Sequence, residues 1–392
     1  MSAAGRIPTH KSARDMRVLL AAFVNTDHPG VLRKVHEQTV ALRGHIPQTI
    51  GVAIGDNSRN VPVRDLACAY VHVPGGAYNP LSRAACFHVL WEVVQKVQPD
   101  VVYFRYPMYD SHVLRFMGEV PGVVFEVQTK AESELSPAAA TNDNNFARQV
   151  LPLARGIVSV TDEICSYELA RSNANIASHV MPNGMNAESI VFTPFAPSGK
   201  ANIEMVCAAQ FAQWHGIDRV LAGMAMADAS TRDGVLLHLA GEGEVVASYR
   251  SFVQEFGLSE NVRFHGRLTA DELTPLFARS HIAIGSLALH RIGLRQLSVL
   301  KNREYCLRGI PFVFAGKDLD FPETLPFVDT FAANDDPIPL ATLRAFAGRV
   351  SGDPGLRATV RAYGEEHLSW HTKMKELAAF FESLAPGLRA VA

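Results

Sequence analysis

Short runs of aliphatic and β-branched residues alternate with longer stretches at helical spacing along most of this chain. That alternation restricts the fold to parallel sheets covered by helices, an α/β architecture. Residues 16–24, Met-Arg-Val-Leu-Leu-Ala-Ala-Phe-Val, read as a buried strand, and the turn Asp27-His28-Pro29-Gly30 leads into a helix ending near Leu42. Strands are predicted near 49–54, 70–73, 101–105, 123–127, 156–160 and 179–181, with helices over 81–97 and 112–120. A Pro/Gly/Ser stretch at 194–199 then reads as a linker. The pattern restarts beyond it, with strands near 204–208, 236–240, 262–264, 282–284 and 312–315. Helices are predicted over 217–227, 249–256 and 270–278, and a helical region runs from about 340 to the end. At 392 residues the chain exceeds one ordinary core. Three segments are expected: a Rossmann-like domain at 1–195, a second at 196–340, and a helical region at 341–392 packing back towards the first.

Composition narrows the partners. Hydrophobic residues make up 48% and charged residues 19%, which is globular, and the net charge of -2 gives no footprint for nucleic acid. Early in the chain Arg6, Lys11, Arg14, Arg17, Arg33, Lys34 and Arg43 outnumber Asp15, Asp27 and Glu37. That surplus suits an anionic membrane surface, with a solvated face as the ordinary alternative. The cysteines Cys68, Cys86, Cys165, Cys207 and Cys306 show no metal spacing and sit mostly in apolar segments, as buried thiols of a reducing compartment do. The start of the chain is polar and no apolar run is long enough to span a bilayer. A cytoplasmic protein is expected, peripheral at most to the inner face of the membrane. No cluster reads as a Mg²⁺ cage or an Asp-x-Asp metal site, so no metal and no cofactor are expected.

The segment Leu300-Lys301-Asn302-Arg303-Glu304-Tyr305-Cys306-Leu307-Arg308-Gly309-Ile310-Pro311 says most about function. A short helix bearing a carboxylate ends at Gly309, the left-handed cap, and the chain enters an apolar strand at once. A second turn and helix start is predicted at 286–296. Such a place suits a nucleotide, because Glu304 can accept both hydroxyls of a ribose while helix-end amides take phosphate oxygens. The plainer alternative makes Glu304 a solvated helix residue.

Several segments in series resemble the GT-B glycosyltransferases of family 4. Val158-Ser159-Val160-Thr161-Asp162-Glu163 and Met181-Pro182-Asn183-Gly184-Met185-Asn186 are similar to the family's approach to its interdomain linker. Trp214-His215-Gly216-Ile217-Asp218-Arg219 resembles its phosphate-contacting turn, and Leu239-Ala240-Gly241-Glu242-Gly243-Glu244 its second βα turn. Val262-Arg263-Phe264-His265-Gly266 resembles its base-binding strand end, and Glu304 to Pro311 the second half of its E-x7-E signature. The resemblance spans about residues 16 to 316. It implies a GT-B fold of two Rossmann-like domains and a retaining, metal-independent transferase that uses a nucleotide sugar. Three departures stand out. Gln296 replaces the first glutamate of the signature, Gln210 and His215 stand where the family has Arg and Lys, and Val127-Gln128-Thr129-Lys130 lacks its N-domain His.

The resemblance and the residues together assign roles. Arg291 and Lys301 are candidates to replace the missing cations, with His215 as a phosphate donor protonated in the complex. Ser298, the backbone at Leu297, Gln296, Gly241, Glu242, Arg263 and Phe264 are expected on the donor beside Glu304. Asp218 and Arg219 are expected to pair locally. On the acceptor side stand His28, Gly30, Arg105 and Gln128, at the carboxyl ends of predicted strands. Glu132 and Glu134 do not make a hydrolase pair, because positions two apart do not face each other on a helix.

The leading expectation is a hexosyltransferase acting on a glycan, glycolipid or cell-envelope polysaccharide acceptor. Two other readings share the scaffold. One is a nucleotide-sugar epimerase, and the other is a catalytically degenerate subunit that binds glycan or a partner transferase.

Overall fold

The computed structural model describes residues 12–58, 66–199 and 203–384. Arg6 and Lys11 of the basic surplus lie outside them. The chain forms two compact units, one of Met1–Pro182 with Trp370–Ala392 and one of Asn183–Ser369.

The first unit is built on seven parallel strands: β1 Arg17–Phe23, β2 Gln48–Gly55, β3 Ala69–His72, β4 Val101–Arg105, β5 Val123–Val127, β6 Gly156–Ser159 and β7 Ser178–Val180. Their order is β3-β2-β1-β4-β5-β6-β7. The chain winds outward from β1 in one direction, then restarts at β4 in the other, so the switch point lies between β1 and β4. From Val18 to Phe23 every side chain of β1 is buried, as a strand covered on both faces requires. Helix Trp370–Leu384 completes this unit rather than the second. Trp370, Met374, Leu377 and Phe381 share a core cluster with Val35 and Leu42 of helix Pro29–Arg43. The Trp370 indole N–H donates to Glu37 at 2.9 Å.

The second unit carries six parallel strands: β8 Ile203–Ala208, β9 Val235–Ala240, β10 Val262–Gly266, β11 Ile282–Ile284, β13 Phe312–Ala315 and β15 Val328–Phe331. A ribbon of β12 Gln296–Leu297 and β14 Lys317–Asp318 stands apart. The order β10-β9-β8-β11-β13-β15 puts this switch point between β8 and β11. Tyr305 is buried there, its hydroxyl accepting from Ala208 N and donating to Ile284 O, both at 3.3 Å. Two parallel, doubly wound sheets are the α/β architecture the sequence predicts.

The segment 183–193, assigned from sequence to the first domain, is tied into the second unit. Asn183 N–H donates to Ser298 Oγ at 2.7 Å, and the Arg361 guanidinium donates to the carbonyls of Ala187, Ile190 and Leu307. Of the region 341–392, helices Leu340–Ser351 and Leu356–His367 also belong to the second unit. The 286–296 stretch is a short 3-10 turn at Leu289–Ile292 running into β12, not the start of a longer helix. Strand β15 has no counterpart in the sequence reading. All five cysteines are buried free thiols. Among the described residues no helix is long and apolar enough to cross a membrane.

Helix Leu300–Arg308 ends as expected. Gly309 has φ 82°, and the amides of Gly309 and Ile310 return to Cys306 O and Tyr305 O, both at 2.9 Å. A Cβ at Gly309 would stand 2.6 Å from Arg357 O, a backbone atom. Gly309→Ala therefore carries both left-handed strain and a clash. Its unfolding free energy should fall by more than about 1 kcal/mol in urea denaturation, whereas an unchanged midpoint would refute that origin for the turn.

Candidate functional site

The second unit gathers most of the sequence-predicted residues at the carboxyl ends of β8 and β11. The centre is helix Leu300–Arg308, which follows the ribbon strand β12. Its N-cap, Val299, supplies no side-chain hydrogen bond. Asn302 N–H turns back to Val299 O at 3.2 Å, so the amides of Leu300 and Lys301 are the ones that keep their donors for an outside acceptor. Lys301 is the second residue of this helix, and helical side chains lean back towards the amino end. Its ammonium nitrogen is shut off from solvent and has no hydrogen-bond partner. Burial pushes its pKa down, with only the Cys207 thiol opposing.

His215 lies in the 3-10 turn Gln213–His215 that follows β8. Its ring is buried, and Nδ1 stands 3.0 Å from Ala212 N. Burial, then the charge of Lys301, pushes its pKa down to about 3. In the ligand-free chain His215 is therefore held neutral, and the expected protonation belongs to a complex with an anion. Nδ1 also stands 3.2 Å from Ala212 O; in the tautomer in which it accepts the Ala212 amide, the proton sits on Nε2, where a neutral imidazole can still donate.

Arg291 is corrected. Its guanidinium grips both oxygens of Asp218 at 3.0 and 2.6 Å, Asp335 at 2.7 Å and Gln213 O at 3.0 Å. Two carboxylates already neutralise it, so it offers no net charge to a diphosphate. The Asp218–Arg219 pair does not form either. Arg219 is buried and donates to Asp336 O, Leu287 O and Asn334 Oδ1, pinning the 334–336 loop.

Glu304 stands one turn beyond Lys301 on the same helix, partly exposed, with Oε1 held by Arg308 at 2.8 Å. Gln296 and Leu297 form β12, in register with Lys317 and Asp318. Ser298 is buried, and its Oγ and carbonyl accept from Asn183 N and Nδ2 at 2.7 and 2.6 Å. Accepting there fixes Asn183 in place and leaves the Ser298 hydroxyl proton uncommitted.

The βα turn after β9 has a structural reason for its glycines. Gly241 has φ 134° and Gly243 φ 154°, and a Cβ on either would overlap the carbonyl oxygens of Ala209 and Phe211. Glu242 is exposed at the tip, and its carbonyl accepts from Phe211 N at 2.6 Å. The contact expected at Arg263 is one of backbone, which its side chain does not decide. Its side chain turns back to Ser259 O and Glu260 before β10, and with Asp233 and Asn261 it lines a surface cavity beside the start of β9. The Phe264 ring lies under Arg250, 4.4 Å from the guanidinium carbon. Near His265 the β10 backbone slips register against β9, and Gly266 O accepts from Gly241 N at 2.6 Å.

Sequence reasoning missed Arg303. It is fully buried, bonded to Asp318 at 2.7 Å, to Asp320 at 2.6 Å and to Asn183 O at 3.2 Å. Asp318-Leu319-Asp320 is an Asp-x-Asp spacing that the sequence reading passed over. The partner it serves is Arg303.

In the first unit His28, Arg105 and Gln128 line one cavity of about 410 Å³ with Phe23, Val24 and Tyr78. Gly30 is the second residue of helix Pro29–Arg43, beside it, with nothing within 4 Å of an added Cβ.

Residues 195–289 match the family described as Glycosyl transferases group 1. The matched segment covers β8 to β11 and stops before helix Leu300–Arg308. Comparison with curated protein sequences gives no match. Among solved structures, Alr3699/HepE from Anabaena, in complex with UDP, aligns over 94% of this chain and 100% of its own, with TM-score 0.69 and 12% identity. The same protein has been solved with UDP-glucose. Sucrose-phosphate synthase from Thermosynechococcus elongatus aligns over 94% of this chain and 99% of its own, with TM-score 0.68 and 13% identity. The lipopolysaccharide outer core galactosyltransferase WaaB aligns over 93% and 99%, with TM-score 0.63 and 12% identity. At such identities the likeness is one of fold, and that fold is GT-B.

Two outcomes are expected from the buried cation and its neighbour. The His215 ring, followed by NMR, should take up no proton between about pH 8 and 5, and a midpoint near 6.5 would contradict its burial. Lys301→Met removes an unpaired buried charge at almost constant shape. The ligand-free protein should gain about 1 kcal/mol or more in denaturant unfolding, and a loss of that size would mean the ammonium has a partner.

Proposed function

We propose that this chain, with its group 1 glycosyltransferase segment on a GT-B fold, transfers a sugar from a nucleoside diphosphate sugar to a glycan or glycolipid hydroxyl. The observation that carries the reading is the unpartnered ammonium of Lys301 at the amino end of helix Leu300–Arg308, where β8 and β11 part. A buried cation without a counter-charge is costly, and a diphosphate is the ligand that relieves it. HepE, which shares the fold, has been solved with UDP and with UDP-glucose, and this supports a nucleotide-sugar donor.

The residues divide the work. The bond from the anomeric carbon to the diphosphate oxygen breaks, and negative charge grows on that oxygen. Lys301 and the amides of Leu300 and Lys301 meet it, with the neutral His215 Nε2–H as a further donor. Preorganised donors of this kind supply the largest share of such catalysis. Glu304 holds the ribose through its carboxylate. Backbone groups near His265 read the base, and the half-buried Gln296 end of β12 takes a sugar hydroxyl. The acceptor oxygen bonds to the anomeric carbon on the face the diphosphate leaves, giving retention, and its proton passes to the departing diphosphate. The residues named supply the charge stabilisation without a metal, and the sugar is a hexose.

The experiment is a panel of nucleotide sugars. Each is tested for stabilisation of the protein, then for nucleoside diphosphate release with and without acceptor glycans. Acceptor-dependent release supports the transferase. Conversion without acceptor would mean an epimerase, and no stabilisation by any donor a non-catalytic subunit. In the active case Lys301→Ala should lower kcat by about a hundred-fold or more, as loss of one preorganised donor does, and unchanged kcat would refute its role.

A further inference from the structure

The cavity in the first unit lies at its topological switch point. Phe23 and Val24 come from the end of β1, Arg105 is the last residue of β4, and Gln128 follows β5. Its walls are largely apolar or aromatic, through Phe23, Val24, Val31, Tyr78, Met108 and Leu135.

The charged groups around it are not equivalent. Lys130 is held by Glu163 at 2.7 Å. Beneath the floor, Glu126 is buried and satisfied by Lys34 at 3.1 Å and Gln38 at 2.7 Å. Arg105 makes no ion pair and no side-chain hydrogen bond among the described residues. Glu134 is the one carboxyl group in the lining, and it forms no ion pair with Arg105. Burial pushes that carboxyl up, with Arg105 opposing. The amino end of helix Pro29–Arg43 opens on the same cavity through His28 and Val31, and the His28 side chain does not cap it. A free guanidinium and the positive end of a 15-residue helix thus converge on one mostly apolar chamber.

We propose that this cavity binds the acidic group of the acceptor, a carboxylate or phosphate carried on a sugar, with Arg105 as its anion ligand. The inference rests on the transferase reading and names its acceptor class. A planar guanidinium takes either anion through two parallel hydrogen bonds. The Gly30 amide, which has no in-helix partner, adds a donor from the helix end. Glu134 accepts from a neighbouring sugar hydroxyl, and Tyr78 gives the sugar ring an apolar face. A neutral sugar of the same shape leaves Arg105 unpaired and gains only the ring contacts.

The test uses the full chain without donor. Glucuronate and glucose 6-phosphate serve as acidic probes and glucose as the neutral control, each titrated by calorimetry. At least one acidic sugar should bind about ten-fold or more tightly than glucose, and Arg105→Gln should reduce it to the level of glucose. Which of the two is preferred separates a uronic acid acceptor from a phosphorylated one. Equal affinity for all three sugars, no binding by either acidic sugar, or a preference that survives Arg105→Gln would each overturn the proposal. Nucleoside diphosphate binding, assigned to residues of the other unit, is measured on the same variant as a check of folding. If the wild-type protein binds no nucleoside diphosphate, the transferase reading fails separately from the acidic-sugar preference.

Discussion

Every cation taken out of water needs an opposite charge, and helix Leu300–Arg308 withdraws three of them in nine residues. Arg303 is answered by Asp318 and Asp320, and Arg308 by Glu304. Lys301 is answered by nothing among the described residues. The same helix is therefore anchored by one guanidinium and left electrostatically incomplete by an ammonium two positions earlier. The Arg303 pairs fasten it to the 318–320 loop, Tyr305 bolts it across the ends of β8 and β11, and Gly309 turns it into β13. With the helix fixed at three points, Lys301 cannot swing out to water without disturbing the core.

The surrounding residues follow from that constraint. Burial, and then the charge of Lys301, keeps His215 neutral in the ligand-free chain. Arg291 faces the same region, but Asp218 and Asp335 take its charge and make it a clamp on the 3-10 turn Leu289–Ile292. Ser298 accepts from Asn183 and keeps its hydroxyl proton. Among the described residues Lys301 is left as a buried cation without a partner, at the uncapped amino end of its helix. The first unit repeats the logic more weakly at its own switch point. There Lys34 and Lys130 are paired, and Arg105 is not.

Much of the fold was legible in the sequence. The strands of both sheets read from apolar runs bounded by turn residues, because parallel strands buried on both faces leave continuous hydrophobic stretches. Gly309 and Pro311 announced the helix-to-strand turn. β15, Val328-Asp329-Thr330-Phe331, was missed because an edge strand needs few apolar residues. The site was legible by position but not by charge. Sequence placed Glu304, Lys301, His215 and Arg291 in one region, yet spacing does not tell which cation meets a carboxylate. Arg291 finds Asp218 and Asp335 at separations of 73 and 44 residues. One signal was available: the apolar neighbourhood of Arg303, with two aspartates at 318 and 320, foreshadows a buried ion cluster. The ending of the first unit at Pro182 could not be read, because hydrogen bonds to backbone carbonyls, which have no sequence signature, hold 183–193 in the second.

The central claim is that Lys301 is incomplete until an anion arrives. Calorimetric affinity for a nucleoside diphosphate, compared between the wild-type chain and Lys301→Met, addresses it most directly. The account predicts that the variant binds at least about ten-fold more weakly, the loss expected when a charged partner is removed. Equal affinity in the two proteins would show that the diphosphate does not meet Lys301, and would contradict the account.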